Sequence, residues 1–323
     1  HVALDFHEYR PFRKDFAQLS SFGIANPYDV MFLHTGNLNV PENIRTIIDT
    51  LFVKNAKKSL DKLNLRHRHY IKSEKYKGEI HFSTGSNTAR SSSNFYALNN
   101  AISTLFEIRG VGIGKTSFKR RINSGLSVGF SFLKTAYENS IFIFDEIAKA
   151  NTYSNVIVLE HQRSIYTDVI KAIDIGSNEM IDFETTMHSS KDSYAISKRD
   201  RPLAYIIKQN NFGFIEKLKD VGIDYVELQK DTVIYSGGYR VIEFNDNFKV
   251  YEKMRMQKVV TSIEYNDNGF SKGDILISMN QKRSNLIAEL LEPEAPNSYV
   301  SFGIINTSLN SQLPIYRIKN LNN

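Results

Sequence analysis

The chain has 323 residues, 41% of them hydrophobic, with 41 basic and 35 acidic side chains and a formal net charge of +6. That length can bury a sizeable core and fits about two domains, while the mild basic excess comes with no recognisable nucleic-acid-binding module. There is no cysteine, so disulfides and thiolate metal sites are excluded, and no apolar run reaches the ~20 residues of a membrane span.

The chain opens "HVALDFHEYRPF". Val2, Leu4 and Phe6 alternate with Ala3, Asp5 and His7, a strand pattern that begins at once and without a methionine. It reads as the remainder of something longer. A second apolar piece, "PYDVMFLHTG", spans residues 27–36, and a helix is expected from Pro41, whose fixed φ suits a first turn, to near Leu63. The basic run "NLRHRHYIKSEKYK" (64–77) has the character of a solvated face, although His67 and His69 could ligate a metal if a strand carries them. Residues 83–94, "STGSNTARSSSN", lack apolar periodicity and are expected to form a loop close to whatever site the next strand carries. That strand is "AISTLFEI", and a long helix from about Lys115 to Ala150 closes the region.

Between strand and helix, "RGVGIGKTS" imitates a phosphate-binding loop. The G-x-x-x-x-G-K-[ST] pattern needs glycine at 109, where Arg stands, and Gly110 comes one position late. The "IFIFDEIA" run would supply the second nucleotide motif if it were a strand. Instead Leu126, Phe130, Leu133, Tyr137, Ile141, Phe144 and Ala148 recur at helical steps, which puts Asp145 and Glu146 on a helix. A nucleotide site at 110–116 remains the weakest of three readings.

After residue 154 the pattern changes. "RPLAYIIK" reads as a strand and "NNFGFIEKLKDVGI" as a helix stopped by Gly222. Short alternating runs follow ("YVELQ", "YRVIEF", "KVYEKMRM", "VVTSIEY", "DILISM"), with "SGG", "NDN" and "NDNGFSKGD" as turn signals. The expected organisation is an α/β domain over 1–154, with a mixed sheet and flanking helices, and a smaller β-rich α+β accessory domain over 155–323.

Two residues could carry chemistry. Glu107 sits where an apolar strand meets a glycine-rich turn, and partial loss of water there raises a carboxyl pKa towards that of a general base. It could equally cap the turn or pair with Arg109. His7 is a strand-end imidazole suited to zinc, with Asp5 on the same face to hold its other nitrogen. Alone it could also be a satisfied core histidine, and no H-E-x-x-H spacing accompanies it.

Taken together, "DFHEY", about a hundred residues, then "LFEIRG" and a long helix resemble the second half of the zinc carboxypeptidases of the carboxypeptidase A kind. In that family a strand-end histidine is the third zinc ligand and a Phe-Glu-hydrophobic-Arg strand holds the catalytic glutamate, which His7 and Phe106-Glu107-Ile108-Arg109 match. "NFYALNNAISTLFEIRGVGIGKTSFKRR", "RPLAYII", "NLIAELLEPEAPNSYVSFGI" and "LPIYRI" look like a bacterial branch with an extra C-terminal domain. The resemblance implies Zn2+ as cofactor, His7 as a metal ligand, Glu107 as general base, peptide or protein C-termini as substrate, and a periplasmic or extracellular location. The family's His-x-x-Glu ligands and its Asn-Arg carboxylate clamp lie upstream of anything in these residues. A catalytically inactive binding module of the same kind is the alternative.

Overall fold

A computed structural model describes residues 1–12, 23–150, 155–208 and 212–319. The chain divides into two compact units, His1–Ala150 with Gln162–Tyr194, and Asn151–His161 with Ala195–Asn323. Residues 162–194 therefore pack with the first unit, and Asn151 to Ser154, at the change of sequence character, lie outside the described residues.

The first unit begins with β1 (Val2–Tyr9), β2 (Ile24–Ala25) and β3 (Val30–His34). The expected helix follows as α1 (Glu42–Ile47), a wider π-turn segment (Ile48–Val53) and α2 (Lys54–Asp61), with Pro41 at φ −52° as its cap. Next come β4 (His67–His69), β5 (Ile71–Tyr76), β6 (Glu79–Thr84) and α3 (Ser92–Leu98). The polar loop is thus shorter than its composition suggests, because Thr84 still belongs to a strand and the Ser91 side chain caps α3 by accepting from the Asn94 N–H. After β7 (Ile102–Arg109) the long helix is broken in two, α4 (Phe118–Glu138) and α5 (Ser140–Ala150), at Asn139. Asp145 and Glu146 lie on α5, as the helical period required.

β1, β7, β3 and β4 form a mixed four-stranded sheet in that order. On one face Phe32 packs on Phe106, and Phe106 packs on Phe132 of α4 with ring centroids 5.1 Å apart. The opposite face presents Met31, which joins Ile24, Ile71, Phe82, Ile170 and Met187 in a second core. Those residues come largely from a five-stranded sheet, ordered β2-β8-β9-β6-β5, to which β8 (Val156–Asp174) and β9 (Met180–Asp200) contribute.

The second unit holds β10 (Ala204–Ile207), α6 (Phe212–Asp220), β11 (Val226–Glu227), β12 (Thr232–Tyr251), β13 (Met254–Phe270), β14 (Ile275–Ser278), α7 (Ser284–Leu291) and β15 (Gln312–Ile318). Gly222 ends the α6 segment at φ +70°, a conformation glycine adopts without strain. Several runs expected as separate strands merge into the long β12–β13 hairpin. "SGG" is not a turn, because Gly237 and Gly238 lie within β12, where a Cβ would meet Tyr265 and Gln312 at 2.7 and 2.5 Å. The glycines admit close neighbours instead of reversing the chain. The reversal falls at Glu252 and Lys253, both with positive φ.

Candidate active site

β1 and β7 run parallel with His7 directly opposite Glu107. Partners in adjacent strands point to the same face, so the imidazole and the carboxylate share one side of the sheet. Met31 is the partner of Glu107 in β3 and lies on that side too. A cavity of about 330 Å³ opens there, lined by Glu107, Tyr9, Arg10, Asn26, Met31 and Tyr70 among others.

The His7 Nε2 lies 3.1 Å from Asp5 Oδ2, which also accepts a 2.6 Å hydrogen bond from the Ser92 hydroxyl. Asp5 thereby holds one ring nitrogen and leaves Nδ1 as the other. The Ser92 contact brings the end of the polar segment to β1 beside His7; residues 83–84 belong to β6 and 92–94 to α3, and the loop proper is 85–91.

Burial pushes the Glu107 carboxyl up from its ordinary value; the His7 imidazole pulls it back and Asp5 adds to the rise. The turn-cap reading of Glu107 does not hold, since the Gly110 and Val111 N–H groups both donate to the Tyr9 carbonyl, at 3.2 and 3.1 Å. Arg109 directs its Nε to the Asn26 carbonyl at 3.1 Å. The same two backbone bonds weigh against a nucleotide site, because N–H groups that would wrap a phosphate are already satisfied. A Cβ at Gly110 would also strike Arg121, whose guanidinium is bonded to Glu8.

His67 and His69 are strand-borne, on β4. His69 meets His34 and Asp49, and these three could hold an ion. Sequence reasoning saw the H-x-H spacing but not His34, at the end of β3, or Asp49, in the π-turn segment. Only the sheet order brings β3 beside β4, and no local spacing encodes that.

The chain is similar to the carboxypeptidase 2 of Trichophyton equinum, with 27% identity over 99% of this chain and 60% of the relative. It matches that of Trichophyton rubrum at 28% with the same coverage, and a probable carboxypeptidase 2 of Arthroderma benhamiae at 26% over 90% of this chain and 56% of the relative. The chain thus spans about 60% of the length of these curated relatives, and they are fungal where a bacterial branch was expected. No protein-family model and no solved structure matches. Among the described residues no helix is long and apolar enough to cross a membrane.

Proposed function

We propose that this chain is part of a zinc-dependent carboxypeptidase, acting on peptide or protein C-termini, in which Glu107 is the general base and His7 one metal ligand. The observation that carries the reading is the β1–β7 register, which sets the two side chains next to each other on one face, beside a cavity. The names of the fungal relatives support a carboxypeptidase. A periplasmic or extracellular location belongs to the same proposal, by the family resemblance alone.

The donor set fits zinc in part. His7 has Nδ1 to offer while Asp5 fixes Nε2, but catalytic zinc needs three protein ligands, and the sequence lacks the family's His-x-x-Glu pair. When bound, zinc would polarise the scissile carbonyl and make water a better nucleophile. The chain's own part is proton handling. A partly desolvated Glu107 carboxylate takes a proton from the attacking water at Oε, and the protonated acid then delivers it to the leaving amine.

Two features of the first unit support a larger catalytic domain. Among the described residues β1 is an edge strand of its sheet. Along α4 and α5, Leu126, Phe130, Leu133, Tyr137, Ile141 and Phe144 are all more than half exposed. An open strand edge and an apolar helix stripe of this size are surfaces that proteins ordinarily cover.

In the full-length protein Glu107→Gln should keep the fold and the zinc but lower peptide hydrolysis about 10²–10⁴-fold, the worth of a positioned base. His7→Ala should lower zinc content itself. Unchanged hydrolysis in Glu107→Gln sinks the reading.

A further inference from the structure

The first unit contains a second constellation, distinct from His7 and Glu107. His34 is opposite Thr104 in the β3–β7 ladder, three residues from Glu107, and so projects from the other face of the sheet. His69 is opposite Phe32 in β4, which places it on the same face as His34. Asp49 reaches them from the π-turn segment packed over that face.

The geometry is convergent. Asp49 Oδ1 lies 3.8 Å from the Nε2 atoms of both His34 and His69, and all three donors fall within 4.8 Å of one another. Two donors each about 2.1 Å from a tetrahedral ion are roughly 3.4 Å apart, so each histidine needs to close on Asp49 by only about 0.4 Å, while the two imidazole nitrogens, within 4.8 Å of each other, have up to about 1.4 Å to close. Among the described residues the Nδ1 atoms of both rings are buried without a hydrogen-bond partner, which leaves Nε2 as the nitrogen that meets charge. Burial lowers both imidazoles, His34 to about 4 and His69 to about 3, keeping them in the neutral form a metal requires.

Positive charge already occupies the spot. Lys57 Nζ lies 3.2 Å from His69 Nε2, and Lys191 Nζ lies 2.6 Å from Asp49 Oδ2. An ammonium on the lone pair that would hold a metal is a cation standing at a cation site. Beside it a cavity of about 190 Å³, with Thr84, Ser189, Tyr166 and Asp192 in its wall, leaves room for exchangeable ligands on the open side.

We propose that His34, Asp49 and His69 form a second site for a divalent transition-metal ion, which enters by displacing the Lys57 ammonium from His69. Two imidazoles and one carboxylate suit zinc, cobalt or nickel over calcium or magnesium. The site lies on the face away from Glu107 and is independent of the proposed hydrolysis.

Equilibrium dialysis of the 323-residue chain against Zn2+ and Ni2+ tests this. One ion per chain should bind, and Asp49→Asn or His69→Ala should weaken it by more than the roughly 10–100-fold that outer-shell changes cost. His7→Ala should leave it unchanged. Lys57→Met removes the competing charge and should tighten binding by about tenfold or more, a gain that unfolding cannot mimic. Failure of both the wild type and Lys57→Met to bind, or loss of the ion in His7→Ala but not in His69→Ala, overturns the proposal without touching the role of Glu107.

Discussion

The second unit closes its buried charges on one another, whereas in the first Glu107 has no such counter-charge lock among the described residues. Glu292, wholly buried, lies 2.6 Å from Arg199 and 3.4 Å from Arg317, and accepts a hydrogen bond from the Tyr205 hydroxyl. Glu294 takes two further bonds from Arg199 and two from Thr261. Around Glu107 burial outweighs the pull of His7, and Asp5 adds to the rise of the carboxyl. Fully paired buried charge specifies a fold. A carboxyl shifted towards neutral pH, beside a cavity, is poised to move protons. The apolar surfaces differ in kind. The second unit buries a core around Tyr205, Tyr239 and Ile287 and exposes apolar side chains such as Val233 and Val250 on its long hairpin, while the first displays a helical stripe on α4 and α5.

The sharpest way to break this comparison is to remove one carboxylate from each unit. Glu107→Gln should cost the 10²–10⁴-fold in activity given above, with urea unfolding shifted by no more than about 0.5 kcal/mol. Glu292→Ala should do the opposite. It strands Arg199 and Arg317 in a buried site and should cost about 3–5 kcal/mol of stability. If Glu292→Ala unfolds at the wild-type urea concentration, the network does not hold the second unit.

A smaller effect is expected from pH. Burial alone would raise the Glu294 carboxyl, but Arg199 and Thr261 outweigh it and hold the group below its ordinary value. A carboxylate depressed in the folded state binds protons first in the unfolded chain. Its stabilisation is therefore complete above the ordinary carboxylate range and is lost as pH falls through the folded value. The urea midpoint should drop as pH falls below the ordinary glutamate value of about 4.3 in the wild type, and less so in Glu294→Gln. Equal slopes in the two proteins would refute the assignment.

Much of this was legible in the sequence, and the boundary has a physical cause. Strand alternation in "VALDFH" and the apolar run "AISTLFEI" located β1 and β7, and period-two logic placed Asp5 with His7. The adjacency of His7 and Glu107 was not readable, since register between strands a hundred residues apart depends on the whole sheet. "RPLAYII", "LEPEAP" and "LPIYRI" stood out in the sequence, and they supply Tyr205, Glu292, Glu294 and Arg317 of the buried network. The glycines of β12 misled because a glycine admitting a close neighbour looks, in sequence, like one that turns the chain. Helical periodicity found the stripe from Leu126 to Phe144 but could not tell which side of the helix is covered.

That stripe gives the smallest effect and separates the two units most finely. Leu133 and Tyr137 are 62% and 85% exposed, whereas Phe132 beside them is fully buried against Phe52 and Phe106. In this chain Leu133→Gln with Tyr137→Gln should change stability by no more than about 0.5 kcal/mol, as surface changes do. Phe132→Ala should cost about 3–5 kcal/mol through the cavity it opens. The double variant should still reduce self-association in sedimentation, because it breaks up an exposed apolar patch. Where the native chain extends further and covers α4, the same two substitutions should become destabilising, since each buried apolar side chain is worth about 1.5–3 kcal/mol. Should they remain neutral there, the stripe is open surface in the whole protein, and the case for a larger catalytic domain rests on the β1 edge alone.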